Sequence, residues 1–321
     1  MQALLYEKEG EPLVYKQTAD PEAGEGEVIV DLKAAALNHR DVYITQGLYP
    51  GITTPIILGS DGAGLLDGQE VIINPAMDWG PDPRAQAKDF HILGLPKNGT
   101  MAQKVAVPQE NVLRKPAHLS WEQAAALPLG GLTAYRALFT QGQCTNGQRV
   151  LISGIGGGVA LFAFQFALAA GADVYVTSGS PVKLERATEM GAKGGANYKN
   201  DQWHKDLLKQ GGGFDVIIDS AGGPGFINLV KTVNPGGRIV MYGGTRGKID
   251  GLSPQILFWK QASIIGSTMG TAGEFADMVS FVDKHKIEPV VDQIYDLQDG
   301  QQAFDRMAAG AQFGKLVLRI N

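Results

Sequence analysis

Apolar and polar positions fall into two rhythms along this chain. Up to about residue 120 the apolar runs are short and end at Gly or Pro: "EVIVDLKAAAL" (27–37), "EVIINP" (70–75) and "AQKVAVP" (102–108). Runs of this kind predict short strands separated by turns. Over 78–99, "DWGPDPRAQAKDFHILGLPKNG", the pattern dissolves into a long loop. "LSWEQAAALPLGGLTAYRALF" (119–139) reads as helical, with Ser120 as N-cap and Gln123 at the matching capping-box position. From Arg149 the rhythm becomes strand then helix. "RVLIS", "DVYVT", "FDVIIDS", "RIVMYG" and "SIIGS" are short runs rich in β-branched residues, separated by helical patterns such as "SPVKLERATEMGA". That alternation predicts a parallel sheet with helical crossovers. After Gly270 come an amphipathic helix, "EFADMVSFVDKHK", then "PVVDQIYDL" and a closing strand, "KLVLRI". The expected organisation is a β-rich domain over 1–120 completed by 271–321, and an α/β domain over 121–270.

Bulk properties narrow the class. A chain of 321 residues exceeds one ordinary core, in keeping with two domains. Its net charge of −5 speaks against nucleic acid as a partner, since such binders carry a basic stripe. Cys144 is the only cysteine, so neither an intramolecular disulfide nor a cysteine-rich zinc site can form. The N-terminus "MQALLYEKEG" has no signal-peptide core. The most apolar run, "VALFAFQFALAAGA", is shorter than the ~20 residues that span a bilayer. A cytoplasmic protein with no membrane partner is the expectation.

The strongest chemical signal is "RVLISGIGGGVALFAFQFALAAGADVYVTSGS". Gly154 permits a tight turn, Gly157 and Gly158 allow close backbone approach to a pyrophosphate, with Val159 in the same candidate cofactor site, and small Ala160 lets the helix pack close to the strand. The helix N-terminus adds unpaired N–H groups and partial positive charge. An NAD-specific site places Asp or Glu at the end of the second strand. This chain has Thr177, Ser178, Gly179 and Ser180 there, then Lys183. Hydroxyls and an ammonium favour a 2′-phosphate, so NADP(H) is the expected cofactor, with Tyr198 placed to close over the phosphate.

Taken in order, "GEGEVIVDLKAAALNHRDVY", "LGSDGAG", "AAALPLGGLTAYRAL" and "GIGGGVALFAFQFA" resemble the landmarks of the medium-chain dehydrogenase/reductase superfamily over essentially the whole chain. The resemblance implies a doubly wound Rossmann domain and a β-rich, GroES-like catalytic domain. "NHRDVYITQGLYPG" (38–51) and Gly154-x-x-Gly157-x-x-Ala160 are similar to zinc-independent quinone oxidoreductases. The middle of the first domain looks like a subgroup named as zinc-type alcohol dehydrogenases. Zinc-dependent members carry Cys where this chain has Asn38, and Gly-His-Glu where it has Gly59, Ser60 and Asp61. Their four lobe cysteines have no counterpart in "PDPRAQAKDFHILG". Zinc wants about four N, S or O ligands, so no metal site is expected.

Without zinc, hydrogen bonds must polarise a substrate carbonyl. Asn38 offers an amide to the cofactor carboxamide or to a substrate oxygen. Tyr49 resembles the tyrosine with which zinc-free enoyl reductases of the superfamily deliver a proton. His39, Arg40 and Asp41 are expected to tie down their own loop, with Tyr43 as wall. The resemblance also places Thr133, Gly243, Gly244, and Ser267 to Met269 around the nicotinamide, and Phe90, Phe258 and Trp259 are either cleft wall or core. It implies a homodimer through the strand edge in "QASIIGSTM".

The favoured activity is NADPH-dependent reduction of a quinone or α,β-unsaturated carbonyl. The alternatives are an enoyl-thioester reductase using Arg84, Lys88 and Lys97 for its charged tail, a zinc alcohol dehydrogenase, and a non-catalytic NADPH sensor.

Overall fold

Strand Glu27–Ala36 is the longest in the molecule, and its neighbours bring together chain segments from both ends of the sequence. In the computed structural model, which describes residues 1–321, it belongs to a seven-stranded sheet. It pairs antiparallel with Asp61–Leu66, with Lys104–Pro108 and with the closing strand Lys315–Arg319. Ala36 is opposite Asp61 on one side and Val317 on the other. A smaller sheet joins Gln2–Tyr6 to Val14–Gln17 and Ile56–Ile57.

The core of this unit gathers Leu4, Tyr6, Val30, Leu37, Ile44, Leu58, Ile73, Met101, Leu316 and Leu318, all essentially inaccessible. Each such side chain contributes roughly 1.5–3 kcal/mol by leaving water. The long loop contains one short hairpin, Ala76–Met77 with His91–Ile92. Trp79 and Phe90 meet edge to face, centroids 5.3 Å apart, and the Trp79 indole N–H donates to the Asp82 carbonyl at 3.0 Å. An aromatic pair thus holds the lobe in which cysteines are missing.

The second unit, Thr133–Met269, is built on a six-stranded parallel sheet. Its spatial order is Gly194–Asn197, Asp173–Ser178, Arg149–Ile152, Phe214–Asp219, Val233–Met241 and Ser263–Gly266. Counted along the chain this is 3-2-1-4-5-6, the doubly wound order, with its reversal between the strands ending at Ile152 and Asp219. Phe214, Ile217, Phe226, Leu229 and Ile239 fill part of its core. No helix is long and apolar enough to cross a membrane.

Two local expectations change. The stretch 119–139 is interrupted rather than one helix: Trp121–Ala126 ends ahead of Pro128, a second helix runs Pro128–Tyr135, and Arg136–Gln141 winds wider. Proline has no N–H for the preceding turn, which accounts for the break. Ser120 and Gln123 do form their reciprocal cap, at 3.2 and 3.0 Å. Helix Trp121–Ala126 packs on the strands Glu27–Ala36, Asp61–Leu66 and Lys315–Arg319, so the first unit runs on to Leu132 and resumes at Gly270. Residues 39–45, expected as loop, are a helix with Asn38 as its N-cap. The signal was hidden because its buried positions include Arg40 and Asp41, which break the apolar stripe.

Candidate functional site

The sheet register assembles the first site. Asp61 starts its strand opposite Ala36, Lys315 starts the closing strand, and Asn38 lies two residues beyond Ala36. The Lys315 ammonium donates to Asn38 Oδ1 at 2.7 Å and to Asp61 Oδ2 at 2.8 Å. Asn38 Nδ2 donates to the same Asp61 oxygen at 2.9 Å, and the Leu129 backbone N–H reaches Asp61 Oδ1 at 2.7 Å. Asp61 is wholly buried and Lys315 is 3% exposed. This is a desolvated ion pair with its polar atoms engaged, the condition under which such a pair is tolerated.

Beside it, Arg40 is also buried. Its Nη1 donates to Ser60 Oγ at 2.7 Å and to the Leu93 carbonyl at 2.9 Å. Its guanidinium lies 5.1 Å from the Tyr49 ring centroid, and Nε is 3.5 Å from the Tyr49 hydroxyl, at the long limit of a hydrogen bond. Tyr49 is half-buried against the core. Arg40 therefore does more than the local tethering expected of it, reaching segments well outside its helix. Asp41 is local: its Oδ2 accepts the Asn38 N–H at 2.8 Å. Its other oxygen is buried without a hydrogen-bond partner, 3.9 Å from Arg40. Burial pushes the Asp41 carboxyl up to about 6, against the opposing pull of Arg40.

The structure thus brings together Asn38, Tyr49, Ser60 and Asp61, and adds Lys315, which sequence reading missed. Its trace was a cation heading an otherwise apolar closing strand, "KLVLRI". The charges considered for a thioester tail are partly engaged: Arg84 pairs with Asp82 at 3.0 Å and Lys97 with Glu27 at 3.2 Å.

The second unit holds the glycine loop. Gly154 has φ 73° and Gly156 φ 133°, conformations that only glycine adopts without strain. The Gly154 N–H is fixed by the Thr177 hydroxyl at 3.0 Å. Gly157 caps the twelve-residue helix Gly158–Ala169, and a Cβ placed on it would meet nothing within 4 Å. Lys183 lies across the loop: a Cβ on Gly156 would be 3.2 Å from its Nζ. Tyr198 stands over Gly179, whose Cβ would be 2.8 Å from the phenol oxygen. Ser178 Oγ accepts the Ser180 N–H at 3.2 Å.

At the carboxyl ends of the later strands, Gly244 faces open space and the Ser267 hydroxyl is buried with no hydrogen-bond partner. Thr133 Oγ1 is 3.7 Å from Met269 Sδ, so these two expected residues meet. Phe258 and Trp259 are not core: they are 59% and 79% exposed. A glycine cradle at a helix N-terminus, a lysine over it and an orphaned hydroxyl fit a dinucleotide.

The chain matches the alcohol dehydrogenase GroES-like domain over 24–117 and the zinc-binding dehydrogenase domain over 158–284. It is 36% identical to the zinc-type alcohol dehydrogenase-like protein YogA of Leptosphaeria maculans, across 96% of this chain and 95% of that one. The chain belongs to the medium-chain dehydrogenase/reductase superfamily. It is an oxidoreductase of that superfamily, whose members similar to it use nicotinamide cofactors and act on small molecules. Among superfamily structures, an NAD-dependent alcohol dehydrogenase superposes with TM-score 0.94 at 35% identity, covering 100% of both chains. The quinone oxidoreductase of Thermus thermophilus, a protein also described in complex with NADPH, superposes with TM-score 0.84 at 26% identity, again over 100% of both.

The zinc-dependent members of the superfamily imply a zinc ion, and the residues here do not fit one. The positions of its ligands hold an amide, a hydroxyl and a carboxylate, and each is hydrogen-bonded to a cation of the protein itself, Lys315 or Arg40. No cluster of three His, Cys, Asp or Glu is available. An ammonium within 3 Å of two prospective ligands repels a dication.

Proposed function

We propose that the protein is a zinc-independent, NADP(H)-dependent reductase of quinones or α,β-unsaturated carbonyls. The observation that carries this reading is the pair of buried cations, Lys315 and Arg40, bonded to the side chains at the superfamily's zinc-ligand positions. They supply fixed positive charge where zinc-dependent members place a metal.

NADP(H) is favoured because no carboxylate follows the strand Asp173–Ser178, while Ser178, Ser180, Lys183 and Tyr198 surround that end. Gly154, Gly157, Gly158 and Val159 would take the pyrophosphate, and Thr133, Gly243, Gly244, Ser267 and Met269 the nicotinamide half. The bound cofactor supplies a hydride. In this reading Asn38 donates an N–H to the carbonyl oxygen, where negative charge gathers during reduction. The Tyr49 phenol gives its proton to the α-carbon, and Arg40 beside it steadies the phenolate left behind.

The strand Ser263–Gly266 has a free edge, with exposed Phe258 and Trp259 on the preceding helix. A homodimer through that edge completes the proposal, and a monomeric mass by light scattering would count against it.

The test is to strip the protein with a chelator, titrate it with NADPH and NADH, and follow turnover of a quinone and an enone. Retained activity, tighter NADPH binding, and loss of that preference by about tenfold in Lys183→Ala support the reading. Activity restored only by added zinc would overturn it. Tyr49→Phe separates the chemistries: enone reduction falls, whereas a quinone accepting its proton from solvent is little affected.

A further inference from the structure

The Asn38 amide is held by two groups of opposite hydrogen-bonding character. The Lys315 ammonium has three N–H donors and no lone pair, so the Asn38 atom 2.7 Å from it must be the carbonyl oxygen. The Asp61 carboxylate has lone pairs and no proton to give, so the Asn38 atom 2.9 Å from its Oδ2 must be the amide nitrogen. Turning the amide over would set NH₂ against NH₃⁺ and oxygen against oxygen. The orientation of an asparagine, elsewhere open to choice, is fixed here by chemistry. The Asn38 backbone carbonyl accepts the Asp41 N–H at 2.9 Å. One of the two Nδ2 hydrogens is taken by Asp61, and no protein acceptor takes the other.

We propose that Lys315, with Asp61, is a positioning residue that locks Asn38 as an obligate hydrogen-bond donor, so that this site selects ligands by a carbonyl or enolate oxygen. The proposal rests on the oxidoreductase reading above and names the device that replaces a metal in it. A second role follows from the same geometry. The ammonium draws density from the amide oxygen and so strengthens the remaining N–H as a donor, as hydrogen bonds in series polarise one another. A ligand presenting an N–H or an ammonium to the remaining Nδ2 hydrogen would find no acceptor there.

A lysine that merely balances the Asp61 charge predicts something different, and a double-mutant cycle separates the two. Purified wild type, Lys315→Met, Lys315→Arg, Asn38→Ala and the Asn38→Ala/Lys315→Met pair are compared. The readouts are kcat and KM for an enone, NADPH affinity and the urea midpoint. Asn38→Ala is expected to lower kcat by about 100-fold, the loss typical of one oxyanion donor. Lys315→Met lowers kcat comparably with NADPH affinity unchanged, and Lys315→Arg restores most of it. The double variant is no slower than Asn38→Ala alone, because Lys315 acts through Asn38.

If Lys315→Met keeps kcat within about twofold, or if the two losses multiply, the proposal fails. Should Lys315→Met not fold, Asp61→Asn/Lys315→Gln removes both charges while keeping polar atoms. Its amide is no longer forced, and kcat must still fall. Labelling asparagine side chains with ¹⁵N gives a readout that needs no turnover. The Asn38 NH₂ pair, assigned by its loss in Asn38→Ala, exchanges slowly in wild type and Lys315→Arg but rapidly in Lys315→Met. An unchanged pair in Lys315→Met overturns the proposal. A wild type that reduces neither probe yet shows this exchange pattern overturns the reductase reading alone.

Discussion

The two candidate sites are made of different materials. In the second unit, the candidate cofactor cradle is backbone: a run of glycines between Ile152 and the helix Gly158–Ala169. In the first unit the chemistry is side chain on side chain, with Lys315 reaching Asp61 across 254 residues of sequence and Asn38 across 277. A backbone cradle tolerates change wherever an added side chain finds room in the protein, and fails where it intrudes on the ligand. A buried charge network fails at once when one member goes, because the partner is left ionised and dry.

Three substitutions put this contrast under strain. The largest effect belongs to Asp61→Leu, which leaves the buried Lys315 ammonium without its counter-charge. We expect a loss of about 3–5 kcal/mol in urea unfolding, most of it returned by adding Lys315→Met. A loss below about 1 kcal/mol would mean the pair is solvated and the contrast is false.

Next comes Gly157→Val. Its Cβ meets no protein atom within 4 Å, and φ is −79°, so the fold absorbs it. NADPH affinity should nevertheless fall about 100-fold, roughly 2.7 kcal/mol, with the urea midpoint nearly unchanged. Unchanged affinity would remove the cradle from that place.

The third effect depends on pH: Asp41→Asn. Burial raises the Asp41 pKa from 3.8 to about 6, so the native state holds its proton more tightly than the unfolded chain. The associated stability is complete below about pH 4 and is lost as pH rises through about 6. Asparagine keeps an acceptor for the Asn38 N–H and removes the buried charge. The variant should be more stable than wild type at pH 7.5 by roughly 3 kcal/mol, the gap closing toward pH 4. A gap independent of pH would show that Asp41 is not the group titrating.

Read residue by residue, the sequence determined the second unit almost entirely. Strand, turn, helix and second strand are contiguous between Arg149 and Ser178, so periodicity and glycine placement carry their own geometry. The same holds for the Ser120–Gln123 cap, a contact three residues long. It also named Asn38 and Tyr49 and registered that Ser60 and Asp61 stand at zinc-ligand positions.

Tertiary structure decided what stands beside Asn38 and Asp61. Lys315 enters because the register of Glu27–Ala36 with its two neighbours sets the heads of two distant strands beside Asn38. Arg40 and Asp41 hid a helix by breaking its apolar pattern, and the burial of Arg40 is made tolerable by Ser60 and the Leu93 carbonyl, both outside the local window. Local pattern reports what neighbours along the chain prefer. A desolvated charge is stabilised by whatever the sheet register brings within 3 Å, and only the folded chain determines that.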